Sequence, residues 1–342
     1  GQTRTMFFSR STSKLGIDIG TSSIKVVQLK REAKQFFLET YGIVNVAYPP
    51  AAIKDFDVLA ETARILKRLL KESKVTTKKA IASLPNNIVF VSVIEMPVMS
   101  EKELKSAVEW EAQRYVPLPL SEVTLSWSLL DQGPSQEKLK VLLTAVPTSV
   151  IENYLKTFKL AGLVPLALEI EALALIRSLV GPRKESFLII DIGARSTSLN
   201  LVDNGFLRVS RNLAVGGETI TAGIAKSLHV STARAEQFKH DLGAASGVQA
   251  IPQAVRPVLD TIKTETAQLV KMYHSGGGRL QELIFAGSGS RLPGLLNYFA
   301  DLGIKAEAGD PLKFIVYDAK IQSNLSQVAS SLSVALGLAM RE

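Results

Sequence analysis

Asp18, Gly20, Thr21, Ser22, Ser23 and Lys25 bring together, in one short stretch, the groups needed to hold a phosphate and its counter-ion. Gly20 lets the backbone approach an anion closely, and the hydroxyl residues add side-chain donors and N–H groups. Lys25 supplies positive charge, and Asp18 can hold a hydrated divalent metal. The elements that must position them are legible on either side. Leu15-Gly16-Ile17-Asp18-Ile19 reads as a buried strand, and Ile24-Lys25-Val26-Val27-Gln28-Leu29 as an alternating strand running straight back. The result is a β-hairpin with a phosphate cradle at its tip. No helix follows the loop, which separates it from a Walker A or Rossmann turn.

One such turn is also compatible with a plain structural hairpin. A second copy shifts the balance: Phe187-Leu188-Ile189-Ile190-Asp191-Ile192-Gly193-Ala194-Arg195-Ser196 repeats the apolar strand, the Asp-Ile-Gly turn and the small polar loop, and Thr197 to Val202 returns. Two copies point to related half-domains facing each other across a nucleotide.

The 342 residues and +8 formal charge fit a two-domain globular protein attracted to phosphate-rich partners or an anionic membrane face. The Lys and Arg residues are scattered and no aromatic-interleaved basic motif appears, so nucleic acid is not an expected partner. The absence of cysteine removes disulfides and thiolate chemistry. His229, His240 and His274 lack metal-ligand spacing. The most apolar long window, Leu160 to Val180, is interrupted by Pro165, Glu169, Glu171 and Arg177, making it a poor transmembrane span. A cytoplasmic protein that meets the membrane through a partner is expected.

Along the chain, Phe36 to Val46 reads as a strand stopped by Tyr48-Pro49-Pro50, and Phe56 to Glu72 as an amphipathic helix. Ser100-Glu101-Lys102-Glu103 caps a helix running to Tyr115. With strands over 88–95, 123–130 and 139–146 and a helix over 147–162, this makes a β-α-β-β-α insertion. A helix is expected over Glu169 to Val180. Beyond the second hairpin come helices over 215–228, 232–242 and 253–273, a strand over 280–285, a helix over 292–302 and an apolar closing helix over 330–340. The expected division is a tail (1–13), a first subdomain (14–85 and 163–181), the insertion (86–162), a second subdomain (182–215 and 280–342) and a small helical subdomain (216–279).

The two Asp-Ile-Gly hairpins, the Gly216-Gly217 pair and the Gly287-Ser288-Gly289-Ser290 loop resemble the phosphate and adenosine motifs of the actin, Hsp70 and sugar-kinase superfamily, in that family's order. The implied fold is an α/β actin-like ATPase: two duplicated sheet domains around a nucleotide cleft, with the insertion replacing actin's small subdomain as in FtsA. Met96-Pro97-Val98-Met99-Ser100-Glu101-Lys102-Glu103-Leu104 and Val108-Glu109-Trp110-Glu111-Ala112-Gln113-Arg114-Tyr115-Val116-Pro117 are similar to the signature of the PilM family of type IV pilus assembly. FtsA, with its C-terminal membrane helix, is the nearest rival, and this chain stops at Arg341-Glu342.

The resemblance implies ATP or ADP with Mg²⁺ as ligands, and Asp18 and Asp191 at one metal centre. Thr21, Ser22, Ser23 and Lys25 would grip phosphate oxygens from one side, and Gly193, Ala194 and Ser196 from the other. Gly216, Gly217, Gly287, Ser288 and Arg291 would border the nucleotide, with Glu236 and Lys239 as ribose or base contacts or, equally, a solvated surface pair. Asp191, Glu169 or Glu171 would act on a hydrolytic water. The implied partner is the N-terminal cytoplasmic tail of the membrane protein PilN, docked in a groove formed with the insertion, with links to the pilus motor ATPase and platform protein. Trp110 reads first as core; the alternative is that Trp110 and Tyr115 border that groove. A small-molecule kinase and a filament-forming protein remain open as rival readings of the same fold.

Overall fold

The computed structural model describes residues 12–46, 56–130, 138–241 and 252–342. The expected tail up to residue 11, the Tyr48-Pro49-Pro50 stop, most of the loop before Lys138 and the break at 243–247 lie outside the described residues. The first half opens with β1 (Thr12–Ile19), β2 (Ser23–Glu32) and β3 (Gln35–Asn45), then α1 (Phe56–Glu72) and β4 (Lys79–Leu84). The insertion follows as β5 (Phe90–Pro97), α2 (Glu101–Tyr115), β6 (Val123–Leu129), β7 (Lys138–Pro147) and α3 (Thr148–Ala161). The chain returns through β8 (Val164–Ile170) and α4 (Glu171–Leu175), which continues as a π-helical turn over Ile176–Val180.

The second half contains β9 (Ser186–Ile192), β10 (Thr197–Asp203), β11 (Phe206–Leu213), α5 (Gly217–Leu228), α6 (Thr232–Asp241), α7 (Arg256–Ser275) and β12 (Leu280–Ala286). It ends with α8 (Leu295–Tyr298), β13 (Lys305–Ala308), β14 (Ile315–Val316), α9 (Gln322–Val328) and α10 (Ser333–Ala339). The sheets run β14-β3-β2-β1-β4-β8, β11-β10-β9-β12-β13 and β5-β7-β6.

Both hairpins are buried on two faces, which is why their strands read as near-continuous apolar runs: in β2, Ile24 and Val26 join one core and Val27 and Leu29 another, and in β9, Phe187 and Ile189 join one core and Leu188, Ile190 and Ile192 another. In α1, Leu59, Ala63, Leu66 and Leu69 form the buried stripe expected of its 3.6-residue period. In α2, a capping box between Ser100 and Glu103 fixes the start, and Leu104, Val108 and Ala112 face the insertion sheet. Trp110 lies two residues past Val108, roughly 200° around the helix. It is therefore 66% exposed, which overturns the reading of it as core.

Four further expectations are corrected. The helix expected from Glu169 starts at Glu171, because Val164–Ile170 pairs in parallel with β4 as a strand. Only Glu169 and Ile170 are at issue, and two residues carry no period to distinguish a strand end from a helix start. The helix expected over 292–302 is broken by Pro293 and by Gly294 in the left-handed region, leaving only α8 between 3₁₀ turns. The span 280–342 does not stay in the second half: β14 pairs with β3, and residues of α9 and α10 join the core over β2. Finally, Tyr154, Phe158 and Ala161 of α3 pack into the first half's core, so the insertion's own sheet and α2 end before α3.

Two backbone approaches set the centre of the molecule. A Cβ on Gly16 would lie 2.0 Å from the Ala335 carbonyl oxygen, and one on Gly337 would lie 1.9 Å from that of Ala174. Glycine at both places lets α10 lie flush on β1 and cross α4.

Candidate nucleotide site

The two hairpins close with the same hydrogen bond. Gly20 N–H donates to the Ser23 carbonyl at 3.0 Å, and Gly193 N–H to the Ser196 carbonyl at 2.9 Å. Each turn presents an aspartate at the end of its inner strand, and Asp18 and Asp191 line one cavity of about 90 Å³. Gly20, Thr21, Ser22, Ser23 and Lys25 line it from the first half, and Gly193, Ala194 and Ser196 from the second. Gly216 packs so tightly on the second turn that a Cβ would meet the Gly193 carbonyl oxygen at 2.6 Å. Next to it, Gly217 N–H donates to that same oxygen at 2.9 Å, which seats α5 beneath the loop.

Ser288 and Ser331 connect this chamber to an outer one of about 670 Å³, lined by Gly217, Glu236, Lys239 and Arg291. Its size suits a nucleoside, whereas the inner chamber admits only small groups such as phosphates or a hydrated ion. Glu236 and Lys239 form a partly solvated pair tied to α5. Lys239 Nζ donates to Glu236 at 2.7 Å, to the Thr221 hydroxyl at 3.0 Å and to the Gly217 carbonyl at 3.3 Å, and the Thr221 hydroxyl donates to Glu236. Arg291 donates to the Gln327 carbonyl, joining this wall to α9.

Acid outweighs base in the inner chamber. Lys25 Nζ lies 3.0 Å from Asp18, and Ser83 donates to the other Asp18 oxygen at 3.1 Å. Burial by itself would lower the Lys25 ammonium, but the Asp18 carboxylate outweighs it and the group sits above its usual range. Burial, with Asp18 adding repulsion and Lys25 opposing, pushes Asp191 up to about 6. Burial followed by Asp18 and Asp191 holds Glu171 well above the carboxylate range, despite Lys25 and a hydrogen bond from the Asn86 N–H. Such a site favours a bound cation, because Lys25 offsets only part of its negative charge.

Among the described residues, no three carboxylates or histidines converge to ligate a metal directly. The donors fit an ion held largely through water by Asp18 and Asp191, the mode Mg²⁺ prefers. Glu169 is corrected as a water-activating candidate. Its carboxylate is paired with Arg177 and, at 3.2 Å, with Arg341, away from the cleft that Glu171 lines. Arg195 turns outward to Glu218 at 2.9 Å.

Sequence reasoning passed over Ser83, Asn86, Asn87, Ser198 and the serines at 330, 331 and 333, although several line the chamber. The run Ser330-Ser331-Leu332-Ser333 before an apolar helix was the available signal. Trp110 and Tyr115 do not line the large groove beside the insertion; the residues just after them, Val116, Pro117 and Leu118, do.

The family of type IV pilus assembly protein PilM matches residues 16–342. A chain of a solved PilM-PilN type IV pilus biogenesis complex superposes with a TM-score of 0.83 at 29% identity, covering 96% of this chain and 98% of that one. The cell division protein FtsA of Streptococcus pneumoniae is 24% identical over 256 residues, 67% of this chain and 56% of its own length. The chain spans between half and two thirds of the curated FtsA relatives it matches. MreB5 of Spiroplasma citri, solved bound to ADP, shares the fold alone, with a TM-score of 0.50 at 14% identity over 95% of this chain and 94% of its own. With a match running from the first hairpin to the last residue, the chain belongs to the PilM family of type IV pilus assembly proteins and has the actin-like ATPase fold.

Proposed function

We propose that the chain is a Mg-ATP-binding scaffold of type IV pilus assembly whose nucleotide state sets its grip on the N-terminal tail of a PilN-type membrane protein. The observation that carries this reading is the pair of matched acidic turns lining one chamber that opens into a nucleoside-sized one. Bound Mg²⁺ would supply neutralisation of the phosphates. Asp18 and Asp191 hold its water shell, Lys25 and the hydroxyl loop bind phosphate oxygens, and Glu236, Lys239 and Arg291 frame the nucleoside. Glu171, which lines the chamber, would orient a water; slow hydrolysis is compatible with this reading, and binding is its primary role.

A second cavity supports the partner. A groove of about 1150 Å³ runs between the insertion and α3, with Phe90, Val116, Pro117, Val123 and Val150 among its lining. Its volume and its mixed apolar and polar walls suit an extended peptide. A family relative solved with PilN supports PilN's tail as the occupant. No described helix is long and apolar enough to cross a membrane. A peripheral position at the cytoplasmic face of the inner membrane, reached through PilN and in contact with the pilus motor ATPase and platform protein, belongs to the same proposal.

Titration of a labelled PilN N-terminal peptide, with and without Mg-ATP, tests it. A change in affinity on adding nucleotide is expected; equal affinity in both would sink the switch.

A further inference from the structure

At the end of the first sheet remote from the cleft, α3 turns through Gly162 into edge strand β8, and the turn carries an unusual mixture. Leu155, Leu160, Val164 and Leu166 are 42% to 53% exposed, in a segment whose inner face is core. Lys78 and Lys79 flank Val164, and Lys159 flanks Leu160. Val164 N–H donates to the Lys78 carbonyl at 2.8 Å, Lys79 is the register partner of Val164, and Lys159 precedes Leu160. All three lysines are exposed, and among the described residues none makes an ion pair.

A free strand edge can accept another strand, but this one is blunted. The ladder with β4 shifts between Ala80 and Ile81, leaving Leu166 as the extra residue of a bulge. Bulged edges are poor templates for strand addition. What remains is a row of apolar side chains flanked by unpaired ammonium groups, a combination matched by an anionic bilayer interface.

We propose that this edge, the end of α3 with the start of β8, binds the surface of an anionic phospholipid bilayer. Leu160, Val164 and Leu166 enter the interfacial layer, and Lys78, Lys79 and Lys159 meet the lipid phosphates. This goes beyond membrane attachment through a partner tail and does not depend on it.

The full chain is sedimented, without PilN peptide, with vesicles of phosphatidylglycerol and phosphatidylethanolamine or of phosphatidylcholine alone. Binding to the anionic vesicles is expected at least about tenfold tighter and released by about 0.5 M salt. Each lysine contributes about fivefold, so the double variant Lys78→Glu, Lys159→Glu loses more than about tenfold. Leu160→Ser with Leu166→Ser also weakens it. Unchanged PilN-peptide affinity in these variants verifies their fold and separates this surface from the groove. Equal binding to both vesicle types, wild-type binding by the variants, or binding to RNA or to a second copy of the chain in place of anionic vesicles would overturn the proposal.

Discussion

Lys25 and Ser198 hold the same position in the two copies of one hairpin: Lys25 is the register partner of Asp18, and Ser198 of Asp191. The duplicated turn thus carries a cation in one copy and a hydroxyl in the other. Asp18 has an ammonium at 3.0 Å, whereas Asp191 is left with a raised affinity for protons.

Replacing Lys25 by Met leaves Asp18 buried without its partner. Breaking one side of a buried ion pair costs about 3–5 kcal/mol. Chemical denaturation is expected to register a loss of that order, partly restored by Mg²⁺, together with weaker ATP binding. Unaltered stability would show that the pair is not the source of local order.

Asp191 makes the free chain less stable at neutral than at mildly acid pH. Its folded-state value of about 6 stands above the ordinary 3.8, so the folded chain binds more protons between the two. This contribution is fully present below the lower value and is lost as pH rises through the upper one. Glu171 is raised as well and acts in the same direction. Thermal midpoints without Mg²⁺ should fall between about pH 5 and pH 7.5, and Asp191→Asn should flatten the trend. Mg-ATP affinity should move oppositely, rising as Asp191 ionises.

The glutamates at 169 and 171 should separate cleanly. Glu171→Gln keeps ATP binding and fold but lowers whatever turnover the chain shows by at least about tenfold, the scale of a positioned general base. Glu169→Gln breaks pairs with Arg177 and Arg341, lowering stability by about 1–2 kcal/mol with the per-site hydrolysis rate retained. Single-turnover hydrolysis beside a denaturation curve distinguishes the two.

Ser149 is exposed on the wall of the groove beside the insertion, the proposed seat of the tail. Ser149→Trp should fill it and weaken PilN-tail binding at least about tenfold, since displaced apolar contacts of this size are worth more than about 1.4 kcal/mol. Trp110→Ala, outside the groove, should leave tail affinity unchanged. Fluorescence anisotropy of the labelled tail measures both.

The two acidic turns were legible because their pattern is local: a strand, an acid, a glycine and hydroxyls within a few residues of Asp18 and of Asp191. Helix α1 was legible through its period. What escaped depends on distant partners. Val164–Ile170 becomes a strand only because β4 is beside it, and Ile315–Val316 is too short to signal anything before it meets β3. Glu169 and Glu171 look alike in sequence, and only Arg177 and Arg341 draw one of them out of the cleft. The facing of Trp110 was recoverable by counting from Val108, but the aromatic's size argued for burial.

Because Ala335 covers Gly16 and Ile315 extends the sheet beside Phe36, the first sheet takes its cover from segments far downstream in sequence. During synthesis the first hairpin must wait, with β1 open on one side, until Ser333–Ala339 has been made. Such long-range closure is slow and aggregation-prone. A chain cut before Ser333 would fail as a whole, since the missing helix covers the sheet that holds β1.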